Sequence, residues 1–279
     1  MSSIKGSTSA VLMGAFFLAV ISLAGPGPAE AQAEKRTVFA PEDFHWQGKL
    51  KAGQMLEVIN TNGGIEGSSA TGDEARVENT GRGGDDDGQL FIEVVEYSDG
   101  VTICAVYARD KAPGRCHRGG VSSESFSSFG WHRHRAKINF GVQVPRGVRL
   151  HATTTNGSVS CHDLNSVVEA STTNGNVEVS TSEWTSATTT NGGIRVSMGN
   201  AKWNGELKVE TTNGSVDVTL PASAEFKVNA ATTNGKIQTD FPITVQGTFS
   251  SKDLSGTVGA GGRELKVVTT NGTIKLTKS

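Results

Sequence analysis

Three histidines in one strongly basic part of the chain are the residues whose type could most directly do chemistry. They are His117, His132 and His134. Imidazole nitrogens bind transition metals, but a metal site needs three or four ligands and hydrogen-bonding groups behind them. Four arginines surround the histidines and would repel a cation: Arg115, Arg118, Arg133 and Arg135. We therefore treat these histidines as weak metal candidates and predict that no metal is bound.

The same four arginines could instead contact an anionic polymer, such as lipopolysaccharide, an acidic glycan or DNA. They belong to segment 112–135, which is also rich in Gly and Ser. This composition is typical of a loop, and a solvated loop without a ligand is the interpretation that we favour. The formal charge of the chain is only −2, so the bulk composition does not indicate a nucleic acid partner.

No pattern in the sequence is typical of an active site. The nucleophile elbow, the zinc-protease motif and the phosphate-binding loop are all missing from it. One outward-facing position recurs after each repeat corner described below, at Ser160, Glu178, Arg195, Asp217, Gln238 and Lys275. Because no two carboxylates are neighbours in this column, it indicates a solvated ladder of cross-strand pairs. We predict neither an enzyme nor a cofactor, and a polysaccharide-processing enzyme is the weakest alternative.

Two of the three cysteines flank a short excursion of the chain. Cys104 and Cys116 could form a disulfide, which would contribute roughly 2–3 kcal/mol for so small a loop. Two free thiols are the alternative. Cys161 falls on an apolar strand face and reads as a small buried hydrophobic residue.

The first 31 residues are typical of an export signal. An uncharged apolar run extends from Val11 to Leu23, and Ala29-Glu30-Ala31 forms a cleavage pattern after it. The run is short for a membrane span, although a retained anchor is the alternative. We expect a mature chain from Gln32, without a transmembrane segment, in the periplasm, in the outer envelope or outside the cell.

The sequence Thr-Thr-Asn-Gly, followed by an apolar β-former, organises the rest of the chain. The asparagines of its copies, together with a looser first copy at Asn62, are Asn62, Asn156, Asn174, Asn191, Asn213, Asn234 and Asn271. From Asn156 onward they are 18, 17, 22, 21 and 37 residues apart, and the last step equals about two periods. A period near 20 residues is typical of a solenoid. We expect Leu254-Ser255-Gly256 to form the turn of the missing coil.

Alternation along each repeat predicts which side chains face inward. The first Thr and the Asn share parity with the preceding apolar residues, as Leu150 and Ala152 do with Thr154 and Asn156. We therefore expect both to point into the core, with the asparagines bonded to one another as a structural ladder. The Gly is expected to turn the chain with a positive φ, and only the second Thr is expected at the surface.

These features predict an all-β protein built as a single-stranded β-solenoid with coils of about 17–22 residues. A right-handed solenoid is the better guess for parallel crossovers. A β-sandwich of hairpins is the alternative, since Asn-Gly is also a favoured hairpin turn. We expect a short tail over 32–36 and one domain over 37–279. It comprises N-terminal strands over 37–111, the basic loop over 112–135 and the repeats over 136–279.

The chain resembles a bacterial family of exported β-strand-repeat proteins described as adhesins, whose domain has no known function. The family pattern is a β-rich start, a V-P-x-G turn and T-x-N-G-x-I repeats. Here the turn is Val144-Pro145-Arg146-Gly147, and the repeats run from Thr154 to Ile274. The resemblance implies a non-catalytic protein that contacts a surface or envelope macromolecule, either a glycan or a protein, and possesses no assigned site residues. A structural or stress-response envelope component that binds protein partners is the alternative.

Overall fold

The structure is a computed structural model that describes residues 33–84, 90–109, 112–122, 136–245 and 250–279. The regular elements in these ranges are strands. The described residues contain no helix that is long and apolar enough to cross a membrane. The predicted signal peptide, over 1–31, lies outside the described residues.

Twenty-four strands make up the described chain. The first eleven are β1 (Ala33–Phe39), β2 (His45–Lys49), β3 (Met55–Ile59), β4 (Ile65–Ser69), β5 (Glu74–Gly83), β6 (Leu90–Tyr97), β7 (Gly100–Arg109), β8 (Ala112–Pro113), β9 (Arg115–His117), β10 (Gly120–Ser122) and β11 (Lys137–Val144). The next eight are β12 (Arg149–Asn156), β13 (Val159–Leu164), β14 (Val168–Asn174), β15 (Val177–Thr181), β16 (Thr185–Thr188), β17 (Ile194–Met198), β18 (Glu206–Glu210) and β19 (Val216–Leu220). The last five are β20 (Phe226–Asn234), β21 (Ile237–Thr239), β22 (Asp253–Val258), β23 (Glu264–Asn271) and β24 (Ile274–Lys278).

The strands form two long sheets. Sheet 1 has the order β1-β6-β7-β3-β12-β14-β16-β18-β23-β20-β22, with β8 paired to β7. Sheet 2 has the order β2-β5-β11-β4-β13-β15-β17-β19-β24-β21. Each repeat supplies one strand to each sheet, joined at its Asn-Gly corner, and we call such a pair of strands a coil.

Neighbouring coils pair in parallel and in register. In sheet 2, for example, Val159 pairs with Val177, Val177 with Ile194, and Ile194 with Val216. Parallel pairing between successive repeats requires a crossover rather than a hairpin. The β-solenoid prediction is therefore confirmed, and the β-sandwich alternative is wrong.

The core lies between the two sheets and follows the predicted alternation. Its members include Leu150, Ala152, Val159 and Cys161, all essentially inaccessible to solvent. Burial keeps the thiol of Cys161 protonated and raises its pKa to about 12. Trp203 fills the core near one end of the solenoid, where it packs against Phe226.

The last coils do not stack in the order of the sequence. The coil formed by β23 and β24 lies between the β18–β19 coil and the β20–β21 coil. We call β23 and β24 the inserted coil. The expectation that Leu254-Ser255-Gly256 turns a missing coil is wrong, because these residues lie in β22, an antiparallel edge strand paired with β20. Repeat spacing measures distance along the chain and therefore carries no information on stacking order.

A similar rearrangement occurs at the other end. Strand β7 pairs in parallel with β3, and β11 pairs in parallel with β4. Together β7 and β11 therefore occupy the position next to the first coil of the sequence, β3 and β4, on the side away from β12 and β13. Between β7 and β11 the chain makes the excursion that was predicted to be a basic loop over 112–135. Its described part is not a loop, because β9 and β10 form an antiparallel hairpin.

Candidate interaction surface

The asparagines of the repeats form one continuous ladder along the corners of the coils. The ladder runs in the order Asn62, Asn156, Asn174, Asn191, Asn213, Asn271 and Asn234, and from Asn156 onward each Nδ2 donates to the Oδ1 of the preceding member at 2.7–2.9 Å. The expectation that these asparagines face the core is wrong, since all except the half-buried Asn62 are exposed. Each lies where the strand ends and the chain bends, so the alternation of the strand no longer sets its direction.

The first Thr of each repeat occupies the inward position instead. Thr154, Thr172 and Thr189 are buried, and each hydroxyl donates to the Gly carbonyl oxygen of the neighbouring coil at 2.8–2.9 Å. The later copies do the same, at Thr211, Thr232 and Thr269. These hydroxyls provide hydrogen-bond donors for the carbonyl oxygens at the corners.

The corner glycines are required by contact between coils rather than by their φ angles. Among the corner glycines of the seven repeat copies only Gly63 has a positive φ, so the prediction of a positive φ is wrong for the six later copies. A Cβ on Gly192 would lie 1.9 Å from the carbonyl oxygen of Gly175 in the adjacent coil. The same clash arises at each of the other copies, because stacked corners touch through their backbones.

The second Thr of each repeat is exposed and forms a column beside the Asn ladder. Its members are Thr155, Thr173, Thr190, Thr212, Thr233 and Thr270. On sheet 2 the outward column after the corner contains ion pairs, with Arg195 3.6 Å from Glu178 and 3.9 Å from Asp217. Such exposed pairs contribute little to stability, and this face is a solvated surface of the solenoid.

The β9–β10 hairpin is the most distinctive feature outside the repeats. It lies against β6 and β7 on the outer face of sheet 1, where Cys116 forms a disulfide with Cys104. A small second core forms beneath it from Ile59, Val95 and Val106 with the two cysteines. The disulfide and this cluster fix the hairpin to the solenoid.

Buried charges hold the base of the hairpin. Cys116 donates its backbone N–H to Glu93 at 2.6 Å, and Arg36 donates to both Glu93 and the carbonyl oxygen of Cys116. Burial of a charge is costly unless it is paired and hydrogen-bonded, and Glu93 meets both conditions. These contacts require the hairpin to be in place.

Arg118 anchors the tip of the hairpin. Its guanidinium donates to both carboxylate oxygens of Asp99 at 2.7 and 2.8 Å and lies over the ring of Tyr97, 4.5 Å from its centroid. The hydrogen bonds from Arg118 lower the pKa of Asp99 below its ordinary value. Arg118 is therefore committed to a contact within the fold.

A second buried carboxylate lies under the hairpin tip. Glu57 is 1% exposed, and it accepts hydrogen bonds from Thr102 at 2.8 Å and from the backbone N–H of Gly119 at 3.1 Å. The Nδ1 atom of His151 lies 2.9 Å from the same carboxylate. Burial opposes ionisation of Glu57, but these hydrogen bonds outweigh it, so the pKa of Glu57 lies below its ordinary value. The hydrogen bond to Glu57 raises the pKa of His151, against the effect of its partial burial.

Glu57, His151 and Thr153 follow the order carboxylate, imidazole and hydroxyl, which is also the order of a hydrolase triad. Nε2 of His151 lies 3.5 Å from the hydroxyl of Thr153, and Nδ1 faces Glu57. However, β12 is paired with β3 on one side and β14 on the other. Its backbone N–H groups therefore donate hydrogen bonds within sheet 1 and not to an oxyanion. This arrangement is a structural clamp.

Sheet 2 carries a polar groove of about 480 Å³. Gly141 forms part of its lining, and the register places Glu78 on one side of Gly141 and Glu66 on the other. Both carboxylates are exposed, whereas a glycosidase general acid is shielded so that its pKa is raised. The groove therefore lacks the environment that its acid residues would need for catalysis.

The structure divides the predicted site residues into three groups. Arg115 is exposed on the hairpin, whereas Arg118 is paired as described above. His117 is exposed, with Nδ1 2.9 Å from the carbonyl oxygen of Arg118, and the described ranges contain no group of three or more potential metal ligands. Arg133, Arg135, His132 and His134 lie outside the described residues.

Sequence reasoning missed the buried carboxylates Glu57 and Glu93. A signal was present, because each lies in a strand that is apolar on both of its faces: Met55–Ile59 and Leu90–Tyr97. Apolar residues at both parities indicate a strand covered on both sides. A charged residue within such a strand must therefore have a partner.

The sequence was also compared with known protein families. Residues 119–277, more than half of the chain, match the Toastrack DUF4097 family model, and the chain belongs to this family. No curated protein matches the chain.

Two solved structures align with most of the chain at low similarity. One is a "putative cell adhesion protein" from Clostridium sporogenes, 10% identical, with a TM-score of 0.44, aligned over 85% of this chain and 100% of that chain. The other is a "putative adhesin" from Bacteroides fragilis, 13% identical, with a TM-score of 0.29, aligned over 86% of this chain and 99% of that chain. Similarity at this level carries no argument about function.

Proposed function

We propose that this protein is an exported, non-catalytic β-solenoid that contacts a macromolecule of the cell surface or envelope and takes part in adhesion. The observation that carries the proposal is the hairpin fixed to sheet 1 by a disulfide, two buried carboxylates and Arg118. A solvated loop needs none of these contacts. Their number is consistent with a hairpin that must be held rigidly above a scaffold.

The disulfide supports the exported location. Structural disulfides persist in oxidising compartments and are rare in the bacterial cytosol. The link between Cys104 and Cys116 is buried and holds the second core together, so it has the character of a structural bond. This agrees with the signal pattern over residues 1–31.

The exposed residues of the hairpin define the chemistry of its partner. Arg115 and His117 are exposed on β9, and Val121 on β10 is 38% exposed, one of the few large apolar side chains at the surface. The register places Arg115 and His117 on the face of the hairpin opposite to that of Cys116 and Val121, and an exposed cation on this face suits an anionic glycan or an acidic protein surface. The partner is therefore an anionic surface macromolecule.

A binding assay with one matched pair of variants tests this function. The purified protein is titrated against lipopolysaccharide, acidic glycans and envelope fractions at two salt concentrations. Arg115→Ala should weaken binding and reduce its dependence on salt, because a solvent-exposed cation is removed. Arg146→Ala removes an exposed arginine from the turn between β11 and β12 and serves as the control. Equal behaviour of both variants, or no binding by the parent protein, would refute the proposal.

A further inference from the structure

The inserted coil has an unusual position, because residues that come earlier in the chain lie on both sides of it. Strand β23 pairs with β18 on one side and β20 on the other, and β24 pairs with β19 and β21. The β18–β19 coil and the β20–β21 coil are therefore separated by a gap of one coil that only Glu264–Lys278 fills. Until it is filled, the β18–β19 coil presents two unpaired strand edges.

The contacts that hold the inserted coil in this gap are mainly those that every repeat makes with its neighbours. Asn271 donates to Asn213 at 2.7 Å and accepts from Asn234 at 2.8 Å. The hydroxyl of Thr269 donates to the carbonyl oxygen of Gly214 at 2.8 Å. Four fully buried side chains fill the core at this level: Leu265, Val267, Ile274 and Leu276. The hydrogen bonds and the strand pairings with β18, β19, β20 and β21 join the inserted coil to residues before 240, so an inserted coil from another molecule would reproduce each of them.

The linker before the inserted coil has the properties of a hinge. It contains Gly259, Gly261 and Gly262, whose φ angles are 59°, 76° and 105°. Glycine adopts these conformations and extended ones at similar cost, so the linker can straighten without strain. In the monomer it spans two strand spacings, about 10 Å. Extended, its five residues 259–263 would span up to about 17 Å.

We propose that the partner at this end of the solenoid is a second copy of this chain, and that the two copies exchange their inserted coils. Reciprocal exchange fills both gaps and forms a closed dimer in which only the linker changes conformation. The exchange takes place during folding, before the gap is filled. This inference stands apart from the proposed function and involves different residues.

A crosslink between the inserted coil and its neighbour tests the exchange. The hydroxyls of Thr219 and Thr277 are 2.9 Å apart on β19 and β24. Protein carrying Thr219→Cys and Thr277→Cys, half of it isotope-labelled, is refolded as a mixture at rising concentration. Refolding takes place without reductant and at acidic pH, where thiols stay protonated and do not exchange with the native disulfide or form a new one. A short bis-maleimide then joins the two cysteines, and mass spectrometry distinguishes crosslinks within a chain from those between chains.

Exchange predicts crosslinked dimers of one light and one heavy chain, in a proportion that rises with concentration. The matched control carries Ser197→Cys on β17 and Thr219→Cys on β19. These two strands belong to coils that are consecutive in the sequence. Its crosslink should stay within one chain in every sample. If the crosslink between positions 219 and 277 also stays within one chain at every concentration, whether or not dimers form, the proposal is wrong.

Discussion

At the residue scale, the corner of each repeat is determined by how closely the backbones of stacked coils approach. The corner Gly touches the Gly of the next coil, the first Thr satisfies its carbonyl oxygen, and the Asn bridges to its counterpart at the surface. The Thr-Thr-Asn-Gly motif is thus an architectural unit with three separate contacts. The side chain of its second Thr takes part in none of these three contacts.

Two adjacent glycines provide a direct test of this contact. A Cβ at position 192 would lie 1.9 Å from a backbone oxygen, whereas the nearest atom to a Cβ at position 193 would be 3.5 Å away. We expect Gly192→Ala to lower the free energy of unfolding by about 3 kcal/mol or more, because two coils must separate. Gly193→Ala should change it by less than about 1 kcal/mol. Urea denaturation of both variants gives the comparison, and equal losses would contradict the close-contact explanation.

The clamp between Glu57 and His151 should make stability depend on pH. The pKa of His151 is raised, so its contribution is complete below its ordinary value of 6.5 and is lost as the pH rises through the raised pKa. The pKa of Glu57 is lowered, so its contribution is complete above its ordinary value of 4.5 and is lost as the pH falls through the lowered pKa. The clamp is therefore strongest between these two values.

Substitution of the histidine makes this dependence measurable. We expect the stability lost in His151→Gln to be largest near pH 6, below the ordinary pKa of histidine, and to shrink as the pH rises through the raised pKa of His151. Urea denaturation across this range gives the loss at each pH. His162→Gln, which replaces an exposed histidine on sheet 2, is the control. A loss in His151→Gln that does not vary with pH would contradict the assigned ion pair.

At the scale of elements, the hairpin and the solenoid have separate cores. The hairpin rests on the disulfide and the small cluster around Val95 and Val106, whereas the repeats share the large core between the sheets. Removing the disulfide with Cys104→Ala and Cys116→Ala should cost about 2–4 kcal/mol locally. Amide hydrogen exchange should accelerate in β9 and β10 and stay slow in β14–β17.

Cys161→Ala is the matched control for this experiment. It removes a buried thiol from the solenoid core, where its neighbours include Gly67 and Leu150. We expect faster exchange in the surrounding coils and no change in the hairpin. Faster exchange in the hairpin and the repeats together, after loss of the disulfide, would show that the two form one cooperative unit.

The elements also show how far sequence reasoning extends. The period of the repeat and its alternation predict the solenoid, its parallel strands and the buried first Thr, because these depend on local pattern. The direction of the Asn side chains could not be read in this way, because the alternation ends where the strand bends. The inserted coil and the hairpin's position on sheet 1 depend on long-range pairing, of which a single sequence carries no record.

At the scale of the molecule, the repeats build a scaffold and the recognition proposed above lies on the hairpin. The regular polar column at the corners is the obvious competitor, since it is repeated, exposed and hydrogen-bonding. Its asparagines already bond to one another, however, so their amide groups are occupied within the fold. The central functional claim is therefore that the hairpin, and not the column of exposed threonines, contacts the partner.

The most direct measurement of this claim is the binding of one triple variant to envelope fractions. Thr155→Ala, Thr173→Ala and Thr190→Ala together remove three neighbouring members of the exposed column without touching the Asn ladder or the buried threonines. We predict that the triple variant binds as the parent protein does, while Arg115→Ala binds more weakly in the same assay. Loss of binding in the triple variant, with Arg115→Ala unaffected, would place recognition on the repeats and contradict the account.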